Sequence, residues 1–157
     1  MKCKLKRFLS DKGFTFIEIS VALLIFIILL SFPLSISGAF SRQKLNAAAS
    51  MMMGDIRLTQ KLCENQESSI YAIAFNQYNE TYYIKRNTDI YREVKLPTGI
   101  DLMGTNFPSS YLTFKSDGGP DGLGGHVTLG DNKGNKLYVI VLSVTGRVRV
   151  DPSPPPP

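Results

Sequence analysis

The last regular segment of the sequence contains Gly146-Arg147-Val148-Arg149, two guanidinium groups separated by one apolar residue. In extended backbone alternate residues share a face, so Arg147 and Arg149 are expected to project together with Val148 opposite. Two neighbouring guanidiniums suit bidentate capture of phosphate oxygens. Lys133 and Lys136 precede them, and residues 132–150 hold these four cations and no acid. Asp151 follows directly and weakens the local field. The competing reading is an edge strand kept soluble and unpaired by its charge.

A second candidate is Glu18, which lies inside an apolar run from Phe14 to Phe32. These 19 residues would span roughly 28 Å as a helix, near the thickness of a bilayer core. A carboxylate there costs on the order of 2.5–3.5 kcal/mol on insertion scales and calls for a compensating partner. Basic residues precede the run, so its N-terminal side is expected on the cytoplasmic face. A secretory signal cleaved after Ser37-Gly38-Ala39 and a plain uncleaved anchor are the alternatives, and Glu18 argues against both.

The remaining candidates are weaker. Asp117-Gly118-Gly119-Pro120-Asp121-Gly122 offers oxygens for calcium but lacks the spacing and bidentate Glu of an EF-hand loop. Turn chemistry accounts for its Asp and Gly. His126 stands alone in a strand pattern, with no nucleophile or second metal ligand beside it. Cys63 lacks the activating neighbour that a reactive thiol needs. The Met51-Met52-Met53 triplet reads as helix packing. No catalytic residue, metal or cofactor is assigned, and the chain is not read as an enzyme.

The elements that must hold these residues follow from the pattern. The net charge of +5 divides unevenly, because residues 1–13 sum to +4 and the other 144 to +1. Whole-chain basicity therefore carries no argument for a nucleic-acid partner; only local placement does. Residues 39–66 favour helix, with Leu45, Ala48, Ala49, Met52, Ile56, Thr59 and Leu62 on one face. After residue 68 short strands are expected at Ile70–Phe75, Thr81–Lys85, Ile90–Leu96, Tyr111–Lys115, His126–Leu129, Lys136–Ser143 and Arg147–Val150, separated by turn signals. The layout is α+β, a long helix packed on an antiparallel sheet. Residues 151–157, with five prolines, are expected to form an extended, disordered stub.

Lys12-Gly13-Phe14-Thr15-Phe16-Ile17-Glu18 resembles the leader junction of type IV pilins and type II secretion pseudopilins. The resemblance implies a prepilin leader over residues 1–13, cleaved between Gly13 and Phe14 by the prepilin peptidase, with N-methylation of Phe14. Cys3 would leave with that leader, so no disulfide with Cys63 is expected. It further implies a helix over 14–66, its first half in the inner (cytoplasmic) membrane, and a β-rich head over 67–150 outside the cytoplasm. Glu18, next to Thr15, would guide assembly by pairing with the N-terminal amine of a neighbouring subunit. Pro33 resembles the proline that bends long pilin helices.

Residues 90–150 are similar to the GspH/FimT-like minor pilins, through Leu96-Pro97-Thr98-Gly99-Ile100, Gly124-Gly125-His126-Val127 and the stretch ending in Arg149. By that resemblance the partners are other pilins, and Arg147 and Arg149, extended by Lys133 and Lys136, would hold double-stranded DNA by its backbone. The same subgroup includes H-type pseudopilins of type II secretion systems, which work through protein contacts. A reading of another class is a secreted β-rich enzyme or binding module cleaved after Ala39.

Overall fold

The computed structural model describes residues 14–31, 36–65 and 70–155. The expected leader with Gly13 and Cys3, Pro33, and the last two prolines lie outside the described residues. The chain divides into two compact units, one up to Ser37 and one from Gly38 onward.

In the first unit, α1 spans Phe16–Ser31 and is apolar around its whole circumference, with its described large side chains exposed. Sixteen residues reach about 24 Å at helical rise. Among the described residues no helix is long and apolar enough to cross a membrane.

Helix α2 (Ile36–Asn65), in the second unit from Gly38 on, precedes eight strands. These are β1 Tyr71–Asn76, β2 Thr81–Arg86, β3 Asp89–Lys95, β4 Ile100–Thr105, β5 Tyr111–Thr113, β6 Gly125–Asp131, β7 Lys136–Val141 and β8 Val148–Asp151. They form two antiparallel four-stranded sheets, in the orders β3-β2-β1-β5 and β4-β6-β7-β8. The α2 face read from the sequence is the buried one: Leu45, Ala48, Ala49, Met52, Ile56 and Thr59 are all buried. Their spacing follows the helical period, so one stripe of α2 meets the inner faces of both sheets in a shared core. Ile73, Tyr82 and Ile84 supply the first sheet's share, and Val127, Leu129, Val139, Val141 and Val148 the second's.

Polar groups fasten the two sheets to the helix and to each other. Asp55, buried on α2, accepts a 2.6 Å bond from Tyr82 Oη and a 2.8 Å bond from Arg92 Nη1, both on the first sheet. Toward the second sheet, Arg57 Nη2 donates to the Val148 carbonyl at 3.2 Å. Glu80, in the β1–β2 turn, accepts a bond from the Leu102 amide of β4 through its carboxylate.

The sheets depart from the sequence reading in several places: the strands form two sheets where one was expected, and β7 stops at Val141, short of Ser143. Strand β4 was not expected, because its pattern is broken by a bulge between Leu102 and Gly104 and by the glycine itself. Strand β5 stops at Thr113, short of the expected Lys115. Phe114 makes only an isolated bridge to Pro120, which has no N–H to extend a ladder.

Candidate functional site

Arg147 and Arg149 bracket the start of β8. Both are exposed, while Val148 between them is 3 % exposed, so the expected alternation holds. Among the described residues neither guanidinium forms an ion pair. The backbone beneath them is tied down residue by residue. The Leu142 amide donates to the Arg147 carbonyl at 3.1 Å, and the Arg147 amide donates to Thr145 Oγ1 at 3.3 Å. Gln60 of α2 reaches in and donates through Nε2 to the carbonyls of Gly118 and Gly146, at 3.0 and 2.7 Å. Such anchoring spares the backbone an ordering cost when the two side chains meet a ligand.

Gly146 is required by this arrangement. Its φ is +61°, and a methyl group there would overlap the Gly118 carbonyl and press on the Gln60 amide. Gly146→Ala is therefore expected to lower the unfolding free energy of the protein by about 2 kcal/mol or more. Urea unfolding of wild type and variant checks this; equal midpoints would contradict it.

The structure does not gather the four predicted cations into one patch. Arg149 is paired in register with Ile140, whereas Lys136, in register with Gly130, opens β7 four residues earlier. That separation is about 13 Å along the strand. Lys133 lies beyond it in the β6–β7 turn, with its amide donating to Asp131 Oδ1 at 2.9 Å. The Asn135 side-chain amide, with the Asn135 and Lys133 backbone amides, holds the Asp131 carboxyl below its ordinary range. Asp151 shares the outward face of Arg149, and its Oδ1 accepts the Ser153 amide at 3.0 Å.

Thr15 and Glu18 stand at the opposite end of the chain, and they form a reciprocal cap on α1. Glu18 Oε2 accepts from both the Thr15 amide and the Thr15 hydroxyl, each at 3.1 Å. The Glu18 amide donates back to Thr15 Oγ1 at 3.3 Å. This is the capping box of a Thr-x-x-Glu sequence. The sequence reading missed it, although the spacing Thr15-Phe16-Ile17-Glu18 before an apolar run is its usual signal. Both bonds to the carboxylate use Oε2.

The other singled-out residues have local roles. Cys63 is buried, and burial pushes its thiol above the ordinary value; Sγ lies 3.5 Å from the Tyr71 carbonyl. Asp117 Oδ1 accepts the Gly119 amide at 2.9 Å, closing a turn. The backbone amide of His126 donates to Asn106 Oδ1 at 2.6 Å, and its ring stands edge-on to Tyr138 with centroids 5.7 Å apart.

No family model matches the sequence, and no curated protein matches it either. Two solved structures do resemble the fold, both of the type IV minor pilin FimU of Pseudomonas aeruginosa strain PAO1 in different crystal forms. One has a TM-score of 0.58 at 13% identity and covers 70% of this chain and 90% of its own. The other has a TM-score of 0.55 at 14% identity and covers 68% and 92%. At such identities the likeness is one of fold: a helix followed by antiparallel sheet in the type IV pilin-like arrangement.

Proposed function

We propose that this chain is a minor subunit of a type IV pilus-like filament, and that its Arg147–Arg149 pair binds the phosphate backbone of DNA without sequence preference. The observation that carries the first part is a pilin-like head preceded by an apolar helix whose only acid is Glu18. Cleavage between Gly13 and Phe14 by the prepilin peptidase, followed by methylation, would give Phe14 a cationic amine. The helix would then hold the subunit in the inner membrane until assembly, with Glu18 pairing to the amine of a neighbour. A paired charge in lipid is tolerable and an unpaired one is costly, so the pair selects and registers each added subunit. The chain would be structural, with no reaction of its own.

The second part is supported by two exposed guanidiniums on a pinned backbone, neither in an ion pair among the described residues. Lys133 and Lys136 lie at the far end of β7, and this reading assigns the contact to the arginine pair alone. Two phosphate contacts predict a slope of about −2 when log affinity is plotted against log salt, against about −4 if all four cations took part. Gel retardation of a DNA duplex by the purified chain in detergent, repeated across salt concentrations, measures this. Arg147→Ala with Arg149→Ala is expected to abolish the shift, and Lys133→Ala with Lys136→Ala to leave it. An unchanged shift in the arginine double variant removes the DNA reading. No binding by wild type leaves the H-type pseudopilin alternative, in which the same face contacts proteins.

A further inference from the structure

One outward-facing residue of the second sheet is buried without the core's help. The register sets Ile140 beside Arg149 on one side and His126 on the other, on the face opposite to the core residues Val139 and Val141. Ile140 is nevertheless only 3 % exposed. The C-terminal tail contributes to its cover. After β8 the chain bends at Pro152 and Ser153, where the Ser153 amide donates to Asp151. Pro155 is then half-buried and lines an open groove of roughly 310 Å³ together with Ile140, His126, Leu142 and Leu123.

We propose that this groove is a docking seat for a proline-rich segment, supplied in cis by the chain's own tail, whose Pro155 already forms part of its rim. Proline has no N–H, so a proline run cannot join a strand ladder and is recognised through its rings on apolar and aromatic surfaces. The groove offers such a surface: Ile140 forms its floor, and His126, braced edge-on by Tyr138, forms a wall. The tail reads Pro152-Ser153-Pro154-Pro155-Pro156-Pro157, and its fixed φ angles mean that little entropy is lost on docking. Leu123 at 83 % and Leu142 at 39 % exposure leave apolar wall uncovered in the groove that Pro155 lines. The seat is independent of the DNA reading, though it adjoins Arg149 on the same face.

The test compares methyl-labelled full-length chain in detergent with a chain ending at Asp151. Truncation is expected to move the Ile140 methyl and His126 ring resonances while leaving the core-facing Val127 and Val139 methyls in place. Titrating the shortened chain with the peptide Pro-Ser-Pro-Pro-Pro-Pro should return both resonances, saturably, to their full-length positions. Pro155→Asp in the full-length chain should move the same two signals. Identical Ile140 and His126 signals with and without the tail overturn the proposal, as does a peptide that moves neither. Full-length shifts that change on dilution would assign the occupant to a second copy and overturn the cis arrangement. None of these readouts involves DNA, so they succeed or fail separately from the arginine test.

Discussion

Replacing Glu18 with alanine is expected to remove the chain from sheared filaments while its amount in the membrane fraction stays at the wild-type level. Under the assembly reading, the acid is the only described group on α1 able to neutralise a neighbour's N-terminal amine. Breaking a buried pair by deleting one partner costs about 3–5 kcal/mol, which is a loss of roughly a hundred- to several-thousandfold in the assembled population. The structure adds a complication, because Glu18 also caps its own helix through Thr15. Thr15→Ala separates the two roles. It removes the cap, at about 1 kcal/mol, but keeps the carboxylate, so incorporation should fall only about fivefold. Quantifying the chain in filament and membrane fractions distinguishes these outcomes. Normal incorporation of Glu18→Ala would end the pilin reading, and equal losses for both variants would show that the cap alone matters.

The largest effect on stability is expected at Asp55. Its buried carboxylate joins α2 to the first sheet through Tyr82 and Arg92, and removing it strands a buried phenol hydroxyl. Arg92 is half-exposed and can rehydrate, which places the expected cost of Asp55→Ala near 3 kcal/mol. Tyr82→Phe should cost about 1 kcal/mol, and the double variant should lose less than the sum because both changes break one network. Burial, and then the bond to Asp55, raises the Tyr82 phenol above its ordinary value. The folded state therefore keeps this proton where the unfolded chain, near pH 10, begins to release it. The contribution is complete below about pH 10 and is lost as the pH climbs further. Tyr82→Phe should correspondingly flatten the fall in urea midpoint between neutral and alkaline solution. A loss under 1 kcal/mol for Asp55→Ala, or an unchanged alkaline slope in Tyr82→Phe, would contradict this account.

What the sequence determined by itself is what depends on neighbours along the chain. The apolar run around Glu18, the helical stripe from Leu45 to Thr59, most strand positions and the exposed–buried–exposed alternation at Arg147, Val148 and Arg149 all follow from local periodicity. The Thr15–Glu18 cap belongs to this class too, since its partners are three residues apart. Tertiary structure alone decided the rest, because the partners lie far apart in sequence and their meeting has no local signature. The division of the strands into two sheets depends on β4, whose bulge hid it from pattern reading. The pinning of Gly146 by Gln60, 86 residues away, and the Asp55–Tyr82–Arg92 network required the helix to lie across both sheets. Strand register set Lys136 apart from Arg149, and the bend at Pro152 and Ser153 brought Pro155 to the groove that Ile140 lines. Local spacing fixes which face a side chain takes; only long-range pairing fixes what it meets there.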